Sequence, residues 1–146
     1  MRTARIASGS AALALVLTCT AWAQAPQAKA QTATQFYMAY RAAFDKATKI
    51  EDILPYMAEK NRKQAEATPK ADRDKMFGLI KMMGALTDLK VTKEEHTPDG
   101  GAVLSAEAMA PSLSDDAKKQ KQTGKITIVK EGGSWKLGGE DWKDSH

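Results

Sequence analysis

Cysteine is almost missing from this 146-residue chain: the one present, Cys19, lies inside what reads as a removable leader. Arg2 and Arg5 make a basic start, Ala11 to Leu17 (AALALVL) an apolar run, and Ala21-Trp22-Ala23 a small-x-small cleavage site before Gln24. That is the pattern of a secretory signal peptide over 1–23. The domain that follows is expected to hold no disulfide, although export would permit one. The alternative, a lipoprotein anchored at Cys19, is disfavoured because Thr18 stands where a small Gly, Ala or Ser is usual. Long apolar runs are missing too. The leader's run is too short to cross a bilayer and no later stretch is longer, so no transmembrane segment is expected. Arg2 and Arg5 are not adjacent, which argues against a twin-arginine route. A strong charge of one sign is absent as well. The formal charge of +4 drops by two once Arg2 and Arg5 are removed. A surface that mixed gives no electrostatic case for nucleic acid.

The chain from Gln24 has the length of one ordinary domain, with no internal repeat. Residues 24–32 (QAPQAKAQT) are Ala/Gln-rich and patternless, a flexible tether. From Ala33 the pattern is helical: Phe36, Tyr40 and Phe44 recur every fourth residue, Tyr37 and Ala43 widen the stripe, and Arg41, Asp45 and Lys46 lie off it. This helix should end near Ala47. Lys49 to Met57 has helical spacing broken by Pro55, which predicts a short helix that ends or kinks there. Ala58 to Thr68 is a solvated helix or a flexible crossing. A third helix should run from Pro69 to Leu86, with Thr68 as its cap and Met76, Phe77, Leu79, Ile80, Met83 and Leu86 as one broad core face.

Strands follow. Leu89 and Val91 alternate with polar neighbours, Thr97 to Gly101 turns the chain, and Ala102 to Ala110 returns with Leu104, Ala106 and Ala108 on one face. Pro111 to Lys119 is a polar loop and Gln120 to Lys130 a third strand. Glu131-Gly132-Gly133-Ser134 then makes a hairpin turn into a last strand at Trp135 to Gly138. Residues 143–146 form a tail. The fold class is therefore α+β, with N-terminal helices packed on a bent antiparallel sheet of about four strands.

Helices followed by a meander, ending in an apolar strand, a Gly-containing turn and Trp135-Lys136-Leu137, resemble the cystatin-like, nuclear transport factor 2-like superfamily. The likeness is nearest to its small exported bacterial domains of unknown function, and it covers Ala33 to Trp142. It implies a strongly bent sheet wrapped around a long helix to leave a conical cavity. It is nearly silent on activity, since the fold hosts enzymes and binding modules alike.

Ketosteroid isomerase-like members of that superfamily place acids and tyrosines inside the cone. Here Tyr37 and Tyr40 are candidate donors and Asp45 or Glu107 a candidate base, but charged residues off an apolar stripe are usually solvated. His96 beside a turn and His146 at the end of the sequence are poorly placed for such work. Met57, Met76, Met82, Met83 and Met109 invite a Cu(I) reading, against which no tight Met-x-x-Met cluster is present and core filling is preferred. Glu94, Glu95, His96 and Asp99 invite a metal, yet neighbouring strand residues point to opposite faces. The runs Lys60 to Lys63 and Lys118 to Lys121 read as solvated faces. Trp135 is expected in the core, and Trp142 either closes one end of the domain or lies exposed as a contact residue. No catalytic residue, metal ligand or cofactor is assigned. The expected pocket wall is Phe36, Tyr37, Tyr40, Phe44, Phe77, Ile80, Met83, Leu104, Ile128 and Trp135. The leading expectation is an exported, periplasmic or secreted, non-catalytic binding or accessory protein that takes a small apolar ligand or a protein partner. A small lyase or isomerase and a homodimer formed sheet to sheet are the alternatives.

Overall fold

A computed structural model describes residues 31–112 and 118–145. The leader, Cys19, the tether up to residue 30, residues 113–117 of the polar loop and His146 lie outside the described residues. The architecture is α+β. Helix α1 (Ala33–Lys46) is followed by two 3-10 turns (Ile50–Asp52 and Leu54–Tyr56), α2 (Glu59–Ala67) and α3 (Lys70–Met83). Four strands then form one antiparallel meander: β1 (Thr87–His96), β2 (Ala102–Pro111), β3 (Lys119–Glu131) and β4 (Ser134–Asp144).

Helix α1 starts in a capping box. The Thr32 hydroxyl accepts from the Gln35 N–H at 3.1 Å while the Gln35 side chain accepts from the Thr32 N–H at 3.0 Å. Its aromatic stripe is buried as its spacing requires, with Phe36, Tyr37, Tyr40 and Phe44 all inside. The inner row of β2 is mostly alanine (Ala102, Leu104, Ala106, Ala108, Ala110), and β3 adds Ile126 and Ile128. Small residues on the sheet and large rings on the helix thus share one core. Each fully buried Leu, Ile or aromatic contributes about 1.5–3 kcal/mol.

The sheet is curled around the start of α1. The rings of His96 on β1 and Trp135 on β4 are 6.5 Å apart, whereas the outer strands of a flat four-stranded sheet run about 14 Å apart. The β3–β4 hairpin turns on Gly132 and Gly133, with φ of 56° and 81°. Positive φ at both central residues gives the turn whose twist matches the strands it joins. Nearer the other end, Gly124 lies under the Trp142 ring, where a Cβ would approach to 2.7 Å. Trp142 therefore closes that end of the sheet from within.

The remaining expectations need correction. The segment around Pro55 forms two 3-10 turns instead of a short helix, while Ala58 to Thr68 takes the solvated-helix alternative: α2 buries none of its own residues, although Ala58 just before it is buried. Thr68 closes α2 through its hydroxyl to the Gln64 carbonyl and does not cap α3. The last strand reaches Asp144, well past Gly138. Most consequential is α3, whose apolar face was expected in the core. It buries only Phe77 and leaves Met76, Leu79, Ile80, Met82 and Met83 between 40% and 66% exposed.

Candidate functional site

Of the expected wall residues, the structure gathers Phe36, Tyr37, Tyr40, Phe44, Phe77, Leu104 and Ile128 into one buried cluster. Ile80 and Met83 lie outside it on the exposed face of α3. Trp135 is half-buried at the rim, donating its indole N–H to the Gln31 carbonyl at 2.6 Å. It does not sit in the core. The inside of the curled sheet is filled by the protein's own rings.

Through that core runs a polar cluster that joins α1 to β4. Tyr37 donates to Glu140 at 2.5 Å, Tyr40 faces the other carboxylate oxygen at 3.5 Å, and Arg41 lies 4.0 Å away. Arg41 also donates to the Gly84 carbonyl at 2.7 Å and lies over the Phe44 ring. Arg41 is 5% exposed although it is off the aromatic stripe. Glu140 turns inward because of a register shift. Ile128 pairs with Leu137 and Thr127 with Gly139, so Gly138 is the extra residue of a bulge. Leu137 and Glu140, three apart, then both face inward. Burial, reinforced by the Glu140 charge, drives the Tyr37 and Tyr40 hydroxyls above the ordinary tyrosine range. Both phenols keep their protons and spend them on Glu140. This is a helix-to-sheet tie rather than a poised acid–base pair.

Of the other candidates for chemistry, Asp45 alone touches it, and only from outside. Asp45 pairs with Arg41 at 3.7 Å from the surface side, and Glu107 pairs with Lys121 at 3.1 Å on the outside of the sheet. Glu94 accepts from the Thr34 N–H at 3.0 Å and its hydroxyl at 2.5 Å, at the positive end of α1. Partial burial would raise that carboxyl, but the bonds from Thr34 outweigh it and hold it below the usual range. Glu95 turns away to Lys93, His96 lies 3.5 Å from Glu94, and Asp99 takes the Thr97 hydroxyl within its own turn. The methionines are dispersed: Met76, Met82 and Met83 are exposed on α3, Met57 is at the edge of β4, and Met109 is on β2.

A groove at the hairpin end has the better form of a binding site. It has a volume of about 420 Å³ and lies between the aromatic side chains of Phe36, Tyr56 and Trp135, with Pro55, Lys130 and Lys136 around it. Lys130 stands 4.6 Å over the Trp135 ring, and Lys136 donates to the Pro55 carbonyl at 2.6 Å. Each ammonium has three protons, so both keep donors for a ligand. Tyr56 and the two lysines escaped the sequence reading because they come from a 3-10 turn and a hairpin that meet only in the fold. A second depression, about 260 Å³, lies around Thr92, Ser105 and Glu107 on the sheet's outer side. The sheet edges offer less. Met57 and Ala58 cover the β4 edge, and β1 is interrupted by two register shifts and a left-handed Asp88. Such irregularity discourages strand addition.

No protein-family profile matches the chain, and no curated protein matches it. Among solved structures it is similar to the crystal structure of the intermembrane space region of chloroplast protein ARC6. The identity is 14%, over 82% of this chain and 100% of that one, with a TM-score of 0.38. A likeness at that level establishes neither a shared fold nor a shared function. Among the described residues, no helix is long and apolar enough to cross a membrane.

Proposed function

We propose that the protein is an exported, non-catalytic binding module of the cystatin-like, nuclear transport factor 2-like kind. Its ligand is a small amphipathic anion held in the groove at the hairpin end. The observation that carries this reading is the pairing of three aromatic side chains with two lysines around a space of about 420 Å³. That size lies within the usual range for small-molecule sites, and an apolar wall with a few polar groups is their usual make-up. The expected apolar ligand is thereby moved from the cone, which side chains fill, to its rim, and it acquires a negative end. The enzyme alternative is weaker because both inward carboxylates among the described residues are committed: Glu140 takes both tyrosine hydroxyls, and Glu94 takes the N–H and hydroxyl of Thr34.

Titration of tryptophan fluorescence with decanoate and with decanol tests the reading. Decanoate should bind with micromolar affinity, about −8 kcal/mol, and decanol about tenfold more weakly, since each exposed lysine contributes up to about 1 kcal/mol. Trp135→Ala should abolish binding, and Lys130→Gln with Lys136→Gln should erase the preference for the acid. Equal affinity for both probes would remove the anion, and turnover of an enolisable ketone that vanishes in Glu140→Gln would replace the module with an enzyme. Export has its own measurement: the secreted form should begin at Gln24 by intact mass, and a lipid-modified Cys19 would contradict it.

A further inference from the structure

The exposed face of α3 is independent of the groove and points to a different kind of contact. Five large apolar side chains, Met76, Leu79, Ile80, Met82 and Met83, are 40% to 66% exposed along one helix of 14 residues. Taking about 200 Å² as the full surface of such a residue, the patch is on the order of 550 Å², the upper end for a monomer. The helix is nonetheless firmly held from behind. Phe77 meets Phe44 edge to face at 6.2 Å, and Lys81 donates to the Phe44 and Asp45 carbonyls at 2.7 and 2.9 Å.

We propose that α3 is the contact surface of a two-fold dimer, packed against α3 of a second copy in the antiparallel sense. Three features favour a second copy. Met76, Leu79 and Met83 repeat at intervals of three and four residues, the seam that packs against its own image. Antiparallel helices set the positive end of one dipole beside the negative end of the other. Two patches together would bury at most about 1,100 Å², just above the roughly 1,000 Å² that a specific interface needs. An anionic membrane fits less well. Lys70 is paired with Asp74, Arg73 with Glu51, and Lys81 with backbone carbonyls, so three of the four cations of α3 are committed and Lys75 alone is left for a headgroup. The methionines suit an interface that must adapt to its own copy.

Sedimentation velocity of the chain from Gln24, from low micromolar to several hundred micromolar, decides it. A reversible dimer should form, with a dissociation constant in the tens of micromolar, as its small area implies. Leu79→Asp should weaken it by at least about tenfold, with unchanged circular dichroism because Leu79 is 56% exposed. Met82→Lys, at another exposed position, should do the same should Leu79→Asp fail to fold. A monomer at every concentration would overturn the proposal. So would a dimer that survives both changes but is lost in Val129→Asp on the outer side of the sheet. Monomers that co-sediment with phosphatidylglycerol vesicles through Leu79 would overturn it in favour of a lipid surface.

Discussion

Arg41→Met should cost about 3–5 kcal/mol of folding stability, because it removes one partner from a buried set of charges and leaves the others unmatched. The guanidinium is 6% exposed, donates to the Gly84 carbonyl at 2.7 Å and stands 4.0 Å from a carboxylate that is itself 19% exposed. The loss therefore falls on two contacts at once. The Gly84 carbonyl at the end of α3 loses its donor, and Glu140 loses the nearby positive charge. A domain of this size has about 5–15 kcal/mol in total, so the variant sits near the edge of folding. With m-values of about 1–3 kcal/mol/M, its urea midpoint should fall by roughly 2 M. Asp45→Ala is the control. It breaks another ion pair of the same arginine, but Asp45 is 62% exposed, and such pairs contribute at most about 1 kcal/mol. Equal losses in the two variants would mean that Arg41 is held by solvent-exposed charge alone.

Arg41 and Glu140 also mark where the sequence could be read and where it could not. The aromatic stripe of α1, the alternating β2 and the glycine turn at 132–133 were legible, because each is a local pattern that one element satisfies by itself. Glu140 was not. Counting alternate residues from Leu137 places it outside, and only the unpaired Gly138 reverses the count. A Gly-Gly pair inside a strand is the one local hint of such a bulge. Arg41 lies off the stripe, and its burial depends on the α3 carbonyl above it, which no local pattern encodes. The sequence predicts a last strand ending at Gly138 for the same reason: Gly138 and Gly139 look like a stop, yet pairing with β3 continues to Asp144.

Helix α3 teaches a different lesson. Its amphipathic stripe is plain in the sequence, but the stripe states only that one face avoids water. It does not state which surface covers that face. Phe77 meets Phe44 and anchors the helix, while the rest of the stripe turns past the domain's edge. The pocket wall assigned to Ile80 and Met83 failed on that distinction. The Lys130, Lys136 and Tyr56 groove was hidden for the complementary reason, since its parts are far apart in sequence and individually ordinary.

The protein should unfold in alkali through its buried tyrosines. Burial first, and the Glu140 charge second, raise the Tyr37 and Tyr40 hydroxyls above the value of about 10 that they have in the unfolded chain. Between that value and the higher folded one, the native state binds more protons than the unfolded state. Stability is therefore fully present below pH 10 and declines as pH rises. Each tyrosine contributes a slope of up to about 1.4 kcal/mol per pH unit, so the pair removes about 5 kcal/mol between pH 10 and pH 12. That is enough to unfold a domain of ordinary stability. Phenolate absorbance and tryptophan fluorescence should then change together in one transition, because neither buried ring can ionise until the core opens. Tyr37→Phe should flatten the alkaline slope by about half, at the expense of leaving Glu140 with one donor fewer at neutral pH. The opposite result, with Tyr37 and Tyr40 ionising near pH 10 while fluorescence stays native, would mean that water reaches the Tyr37–Glu140 contact. A carboxylate and phenol open to water would reopen the case for acid–base chemistry at that position.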